Sequence, residues 1–217
     1  MLQEALTQYI ETLIPPREAV VQEIEVYAKE HRVPIMDIVG IEAMLHVLQY
    51  IEPKTILEIG TAIGYSAIRM ALKLPTARIV TIERDQARHE RALFYIERSE
   101  TNERIDALLG DAFDLYEEVK KRAPFDVMFI DAAKGQYERF FRLYEPLLAD
   151  GGVVITDNVL FKGLVAANEP IENKRWRQLV KKIREYNEWL MRRPDYDTVI
   201  LPIGDGIAIS RKRGETK

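Results

Sequence analysis

The stretch from Thr55 to Ser66 constrains this chain most, because it reads as an apolar strand that runs through a glycine turn directly into a helix. Its sequence is Thr-Ile-Leu-Glu-Ile-Gly-Thr-Ala-Ile-Gly-Tyr-Ser. Glycines let the backbone approach a ligand closely and let the helix begin at once, so that the first helical N–H groups face whatever is bound. We interpret the stretch as a cradle for a nucleotide cofactor. The alternative is an ordinary strand-to-helix turn.

Two details of this turn narrow the ligand class. Gly60 and Gly64 are four residues apart, whereas a dinucleotide fold shows Gly-x-Gly-x-x-Gly, so a phosphate-binding cradle is less favoured. Glu58 stands two residues before Gly60, and its negative charge argues against an anionic ligand. A cationic or hydroxyl-rich ligand is the better match.

Length and composition predict one soluble domain. A chain of 217 residues supports a single substantial core, and 47% hydrophobic with 30% charged residues is ordinary for a globular protein. We expect a cytoplasmic protein without membrane contact, because no apolar run approaches the ~20 residues that span a bilayer and no leader pattern is visible.

The absence of cysteine excludes thiolate catalysis, disulfides and cysteine-ligated zinc. A net charge of −4 gives no global attraction to nucleic acid.

The order of predicted elements indicates an α/β fold. Three amphipathic helices form an N-terminal helical cap over residues 1–50, and a strand, turn and helix then alternate through a core over residues 55–217. Five short, nearly continuous apolar strands predict a doubly wound, mostly parallel sheet, and two more predict a C-terminal antiparallel hairpin that makes it seven-stranded. The predicted strands are Thr55–Ile59, Arg78–Glu83, Ile105–Leu109, Phe125–Ile130, Val153–Thr156, Tyr196–Leu201 and Ile207–Arg211. The predicted helices between them include Tyr65–Leu74, Gln86–Ser99 and Gly135–Leu148.

Acidic residues stand at the carboxyl ends of several predicted strands, where ligands of open parallel sheets bind. Glu83 ends the second strand and is placed to accept hydrogen bonds from both ribose hydroxyls of a nucleoside cofactor. Its alternative role is the N-cap or a first-turn carboxylate of the next helix. Asp111 is placed to contact the edge of an adenine ring. A role as the N-cap of the next helix is an equally open alternative.

A second polar group follows the fourth and fifth strands. Asp131, Asp157 and Asn158 are oxygen-bearing residues without histidine or cysteine among them, which suits Mg²⁺ or another hard divalent cation. The alternative is that both aspartates cap helices. Lys134 lies three residues beyond Asp131, and its pKa would fall beside a cation in a partly desolvated site, so that it could act as a general base. A solvated lysine at a helix start is the alternative.

Taken together, five separated motifs resemble one family. They are Ile56-Leu57-Glu58-Ile59-Gly60 through Gly64-Tyr65-Ser66-Ala67, then Glu83, then Gly110-Asp111-Ala112, then Ile130-Asp131-Ala132-Ala133-Lys134-Gly135-Gln136-Tyr137, and Asp157-Asn158. In this order they look like the cation-dependent O-methyltransferases of the catechol and caffeoyl-CoA type. The resemblance covers essentially the whole chain and implies a Rossmann-like methyltransferase fold.

The resemblance also implies roles for individual residues. S-adenosylmethionine would be bound by Met36, Glu58, Gly60, Ser66, Glu83, Asp111, Ala112 and Asp131. Asp131, Asp157 and Asn158 would hold Mg²⁺, and Lys134 would be the base. The cation would lower the pKa of a substrate hydroxyl, Lys134 would take its proton, and the oxyanion would attack the sulfonium methyl in line.

Within the family, the chain most resembles the bacterial tRNA 5-hydroxyuridine methyltransferases, which methylate the wobble uridine. This implies 5-methoxyuridine as the product, with a small catechol or caffeoyl-type diol as the alternative acceptor. Mammalian catechol enzymes carry His-Trp where this chain has Ala132-Ala133, which weakens a flat wall for stacking a catechol. The family commonly forms homodimers, so a homodimer is expected.

A basic helix face bears independently on the tRNA hypothesis. Eight basic and three acidic residues lie between Ile171 and Arg193. Helical spacing puts the basic residues Lys174, Arg177, Lys181 and Arg184 on one face, and puts Trp176, Val180, Ile183, Asn187 and Leu190 on an opposite face that we expect to pack on the sheet. The basic face would suit tRNA phosphates. A solvated helix face is the alternative.

Overall fold

The structure, a computed structural model, describes residues 2–167 and 170–214. The helices are α1 (Leu2–Leu13), α2 (Ala19–His31), α3 (Ile38–Ile51), α4 (Tyr65–Lys73), α5 (Gln86–Arg98), α6 (Tyr116–Lys120), α7 (Tyr137–Tyr144) and α8 (Lys174–Met191). The strands are β1 (Thr55–Ile59), β2 (Arg78–Glu83), β3 (Ile105–Leu109), β4 (Phe125–Ile130), β5 (Leu148–Thr156), β6 (Tyr196–Leu201) and β7 (Ile207–Lys212). Short 3₁₀ turns cover Lys134–Gln136, Glu145–Leu147 and Leu164–Ala166.

The seven strands form one sheet in the order β3-β2-β1-β4-β5-β7-β6. The first five are parallel, and β7 runs antiparallel between β5 and β6. The predicted fold class is therefore confirmed, including the C-terminal antiparallel hairpin. Strand order reverses at β1, so the crevice between the carboxyl ends of β1 and β4 is where a ligand of such a sheet binds.

Two apolar layers sandwich the sheet. Ile56 of β1 contributes to a core with α2, α3, α4 and α5 on one face, whereas the next residue, Leu57, contributes to a core with α7 and α8 on the other. This alternation follows from the two-residue period of a strand. Because both faces are covered, the parallel strands read as continuous apolar runs.

Two predicted boundaries were wrong. Strand β5 begins at Leu148, five residues before the predicted Val153, because Leu148 already pairs with Phe125 across an irregularity in β4. The single helix predicted over Gly135–Leu148 is instead a 3₁₀ turn, α7 and a second 3₁₀ turn. Pro146 occupies that second turn and cannot donate the backbone hydrogen bond that continues an α-helix.

The predicted buried face of α8 was partly wrong. Tyr186 is 2% exposed and belongs to this face, whereas Trp176 is 45% exposed. The Trp176 ring contacts Phe161 edge-on, with 6.0 Å between ring centroids. The beginning of α8 therefore lies against the segment after β5 and not against the sheet.

At the N-terminus, α1 is amphipathic and leaves apolar side chains in contact with solvent. Leu6, Tyr9 and Leu13 are 52%, 62% and 62% exposed. Over the residues that the structure describes, there is no helix with the length and hydropathy to cross a membrane.

Candidate active site

A cavity of about 1090 Å³ opens at the carboxyl ends of the parallel strands. It brings together nearly all of the residues that the sequence singled out, which come from six separate segments of the chain. These are Met36, Gly60, Ser66, Glu83, Asp111, Ala112, Asp131, Lys134, Asp157 and Asn158. The remaining one, Glu58, does not line the cavity.

Gly60 allows the turn after β1 to pass against the end of β4. Its φ is +112°, and an added Cβ would lie 2.1 Å from the backbone oxygen of Asp131. Backbone hydrogen bonds join the same two strand ends, since the Asp131 N–H donates to Ile59. A glycine is therefore required at position 60 because the backbone of Asp131 lies against it. The cradle interpretation had explained this glycine by the close approach of a ligand.

Glu83 is 7% exposed and its carboxylate is fixed by two backbone N–H groups. Ala62 N donates to Oε2 and Asp85 N donates to Oε1, both at 2.8 Å. Asp85, not Glu83, is the N-cap of α5, because its side chain accepts from Arg88 N at 2.9 Å. The free lone pairs of Glu83 can accept hydrogen bonds from a ligand in the cavity.

The side chain of Glu58 binds one residue of α4 and one residue of β2. It is completely buried and accepts hydrogen bonds from the hydroxyls of Ser66 and Thr81, the latter at 2.5 Å. Thr81 in turn shares a hydrogen bond of 2.6 Å with Thr61. Burial raises the pKa of Glu58 to about 7, although the Ser66 and Thr81 hydroxyls oppose this shift. Contact with a bound cofactor would come from Ser66, which does line the cavity.

Asp111 shapes the segment after β3. Its Oδ1 accepts from Phe113 N at 2.9 Å, whereas α6 begins at Tyr116 with Leu115 as its N-cap. Asp111 is therefore not the cap of α6. The carbonyl of the next residue, Ala112, accepts from the Tyr144 hydroxyl at 2.6 Å, which ties this wall of the cavity to α7.

Asp131, Asp157 and Asn158 meet at the other end of the cavity. The side-chain amide of Asn158 donates to Asp131 Oδ1 at 3.0 Å and to Asp157 Oδ2 at 2.7 Å. Burial, and then the neighbouring Asp131 charge, raise the pKa of Asp157 to about 8. Burial also raises the pKa of Asp131, against the lowering effects of Lys134 and Asn158. Two crowded carboxylates of this kind favour a positive charge between them.

The donor set fits a hard divalent cation. It consists of two carboxylates and an amide oxygen that rotation of the Asn158 amide would present, and Mg²⁺ prefers such oxygen ligands together with water. This site contributes only two carboxylates. Among the residues that the structure describes, no group of three or more histidine, cysteine, aspartate or glutamate side chains is placed to hold a metal. Water or substrate would have to complete the coordination.

Lys134 begins the 3₁₀ turn after β4 and is half-buried beside this cluster. Burial lowers its pKa, while the charges of Asp131, Asp157 and Asp205 act in the opposite direction. A lysine whose pKa is lowered is a better proton acceptor at neutral pH than a solvated one. Lys134 is therefore not fully solvated, and its role as the base stays a prediction.

Some cavity residues escaped the sequence-based prediction. Asp37 caps α3 by accepting from Gly40 N at 2.8 Å, and Asp205 lies in the turn between β6 and β7. Arg139 lies over the ring of Phe113, 4.1 Å from its centroid. The Pro202–Gly206 turn signal could have pointed to Asp205, because β7 lies next to β5 and brings that turn to the cavity.

The predicted basic face on α8 is only partly available to a ligand. Lys174, Arg177 and Lys181 are exposed, and Lys181 lies 3.7 Å from Glu185. Arg184 is exposed too, but it donates from Nε to the carbonyl of Val165 at 2.7 Å, and Arg177 donates from Nη2 to the carbonyl of Glu172 at 3.4 Å. All four basic side chains are therefore exposed, and three of them already have a partner in the protein.

The sheet order, the glycine turn after β1 and the acidic strand ends define a Rossmann-like methyltransferase. A family model described as O-methyltransferase matches residues 15–213. The chain belongs to the O-methyltransferase family, and its activity class is S-adenosylmethionine-dependent O-methyl transfer of the caffeoyl-CoA type.

Relatives that match over most of their length agree with this assignment. Caffeoyl-CoA O-methyltransferases from Mesembryanthemum crystallinum and Petroselinum crispum are 30% and 31% identical, with 96% of this chain and 86% and 91% of theirs covered. The structure of a candidate caffeoyl-CoA O-methyltransferase from Staphylococcus aureus is 35% identical, with a TM-score of 0.87 and 96% and 98% coverage. An O-methyltransferase from Bacillus cereus, solved in complex with SAH, is 27% identical, with a TM-score of 0.82 and 98% and 100% coverage.

Proposed function

We propose that this chain transfers a methyl group from S-adenosylmethionine to a hydroxyl that is held, with a neighbouring oxygen, at a divalent cation such as Mg²⁺. The observation that carries the proposal is the convergence of Asp131, Asp157 and Asn158 within 3.0 Å contacts at the end of the cavity beside Lys134. An acceptor with two adjacent oxygens can complete such a cation site.

The other end of the cavity would hold the methyl donor. Glu83 would accept from the ribose hydroxyls, and Asp111 with Ala112 would border the adenine. Met36, which is 5% exposed, would pack near the methionine end. Gly60 and Ser66 would form the turn beneath the cofactor, and Asp131 would lie between donor and cation. These roles are supported by the shared cavity and by the SAH complex of the Bacillus cereus relative.

The proposed reaction consists of a proton transfer to Lys134 and a methyl transfer to the acceptor oxygen. A bound divalent cation supplies a Lewis acid that lowers the pKa of the acceptor hydroxyl. Lys134 Nζ accepts the hydroxyl proton. The oxygen then forms a bond to the methyl carbon as the carbon–sulfur bond breaks, which leaves neutral S-adenosylhomocysteine. The walls of the cavity would have to hold the oxygen, methyl carbon and sulfur in line, and this positioning would supply most of the rate.

For the acceptor, we propose 5-hydroxyuridine at the tRNA wobble position, with 5-methoxyuridine as the product. Its hydroxyl stands next to a carbonyl, so the base offers two adjacent oxygens. The exposed residues Lys174, Arg177 and Lys181 support a polyanionic acceptor, because phosphate contacts by basic side chains dominate nucleic-acid affinity.

A small catechol or caffeoyl-type diol is the second candidate acceptor. The names of the plant relatives favour it, and a catechol also offers two adjacent oxygens. Ala132 and Ala133 provide little surface for stacking a flat ring beside the cation site. A competition experiment is therefore needed to rank the two acceptors.

The first test measures tRNA nucleosides by mass spectrometry in cells that lack this protein. Accumulated 5-hydroxyuridine with loss of 5-methoxyuridine supports the tRNA acceptor, and an unchanged profile rejects it. The second test offers the purified enzyme hydroxyuridine-containing tRNA, catechol and caffeoyl-CoA with S-adenosylmethionine and Mg²⁺. Transfer to the small diols alone would establish the second candidate. Transfer to none would reject the proposed chemistry.

A homodimer is proposed on the exposed apolar face of α1. Leu6, Tyr9 and Leu13 form a helical stripe that a second copy would cover. Size-exclusion chromatography with light scattering distinguishes a particle of about 50 kDa, twice the chain mass of 25.1 kDa, from a monomer.

A further inference from the structure

The segment 158–167, which we name the acceptor loop, begins at Asn158 and has an unusual backbone. Its φ angles are +64° at Asn158, +43° at Phe161 and +56° at Lys162. Residues with a side chain rarely adopt this left-handed conformation, and they keep it only where surrounding contacts hold the chain in place. The acceptor loop therefore needs partners outside itself.

The first partner is the turn between β6 and β7. Leu160 N and Phe161 N donate to the carbonyl of Asp205 at 2.8 and 3.2 Å, and Val159 N donates to that of Gly206 at 3.0 Å. Gly206 has a φ of +92°, and an added Cβ would lie 2.3 Å from Leu160 Cγ. The turn and the loop fit only because this side chain is missing.

The second partner is α8, which uses two polar side chains. Asn187 donates from Nδ2 to the carbonyl of Val159 at 2.8 Å, one residue after Asn158. Arg184 donates from Nε to Val165 at 2.7 Å and from Nη2 to the carbonyls of Ala167 and Leu164 at 3.3 and 3.4 Å. Every hydrogen bond that the structure gives the Arg184 guanidinium ends on an acceptor-loop carbonyl.

We infer that Arg184 and Asn187 are positioning residues for the acceptor side of the site. They hold the acceptor loop so that the Asn158 amide stays between Asp131 and Asp157. This inference rests on the proposed function for its consequence in catalysis. It also distinguishes Arg184 from Lys174 and Lys181, because the Nε and Nη2 groups of its guanidinium already donate to loop carbonyls.

The test compares Arg184→Gln and Asn187→Leu with the matched control Arg192→Gln. Arg192 lies two turns after Arg184, is 78% exposed and donates to Glu188, at 3.1 Å. Asn187→Leu removes the only side-chain bond from Asn187 to the Val159 carbonyl, and no donor loses an acceptor, because Asn187 Oδ1 has no partner in the described structure. Mn²⁺ binding is measured by electron paramagnetic resonance, and S-adenosylmethionine binding by calorimetry.

Arg184→Gln and Asn187→Leu should each weaken Mn²⁺ binding at least fivefold and speed amide hydrogen exchange at Val159, Leu160 and Phe161. They should raise the KM for a phosphate-free catechol while the Kd for S-adenosylmethionine changes less than twofold. Arg184→Lys, which keeps a single donor group, should recover part of each effect. Arg192→Gln should leave all four quantities unchanged.

Three results would overturn the inference. Unchanged Mn²⁺ binding and unchanged loop exchange in Arg184→Gln would show that the contacts position nothing. A loss confined to tRNA affinity would assign Arg184 to phosphate binding. Equal loss of S-adenosylmethionine binding would indicate a general structural role. If the unaltered enzyme neither binds Mn²⁺ nor transfers methyl groups, the proposed function fails, whereas the exchange measurement still decides whether α8 holds the loop.

Discussion

The buried carboxyl of Glu58 leads to a quantitative prediction for Glu58→Gln. The folded pKa is about 7, against an ordinary value of 4.5, because the completely buried carboxylate has lost its hydration. At 1.36 kcal/mol per pKa unit, ionising this group in the folded state costs roughly 3 kcal/mol. Glutamine keeps the shape without the charge. Its amide can donate to Thr81, whose hydroxyl can donate to Thr61.

The sign of the pH dependence follows from proton linkage. Between pH 4.5 and 7 the folded protein holds a proton on Glu58 that the unfolded chain has released, so unaltered stability falls as pH rises through this window. Glu58→Gln removes that loss. The variant should therefore be about as stable as the unaltered protein near pH 4.5, and more stable by roughly 3 kcal/mol above pH 7. This corresponds to roughly 6–12 °C in Tm.

Urea unfolding at pH 5, 6, 7 and 8 measures this difference, with cofactor and divalent cation omitted and protein concentration fixed. Glu117→Gln is the matched control, since Glu117 is 79% exposed and its substitution should give a small, pH-independent change. A stability difference for Glu58→Gln that stays flat from pH 5 to 8 would refute the reasoning, as would a variant that is less stable at pH 8.

Three further predictions concern the site. Lys134→Met should lower kcat by roughly 10²–10⁴-fold in steady-state assays while calorimetry shows unchanged S-adenosylmethionine affinity; a loss of affinity instead would argue against a base. Chelation of divalent cations by EDTA should abolish transfer and added Mg²⁺ should restore it, so full activity in EDTA would eliminate the cation mechanism. Gly60→Ala should destabilise the protein by at least ~2 kcal/mol in thermal unfolding, because φ +112° and the 2.1 Å contact with Asp131 both oppose a Cβ; an unchanged Tm would contradict this.

The sequence was sufficient to place Glu83, Asp111, Asp131 and Asp157 in one cavity. Each stands at or just after the carboxyl end of a parallel strand, and parallel strands end at the same edge of a sheet. The depth of Glu58 could not be predicted in this way. Strand periodicity assigns a side chain to a face, but only the packing of Ser66 and Thr81 against it decides whether that side chain reaches the cavity.

Arg184 shows a second limit of pattern-based prediction. Helical spacing placed it correctly beside Lys181, yet a long guanidinium side chain can reach in several directions. Its partners, the carbonyls of Val165 and Ala167, lie in an irregular loop whose path depends on tertiary contacts. Asp205 was missed for a related reason, since its turn approaches the site only because β7 inserts between β5 and β6.

The insertion of β7 also sets an order of events during synthesis. Strands β1 to β4 and the turn after Gly60 come from the first 131 residues, so the surface for the methyl donor leaves the ribosome early. The acceptor loop takes its backbone partners from Asp205 and Gly206, and these are translated about forty residues later than the loop itself. A nascent chain can therefore form the strand ends that carry Gly60, Glu83 and Asp111 well before the acceptor loop has its partners, and the cavity is complete only when β7 pairs between β5 and β6.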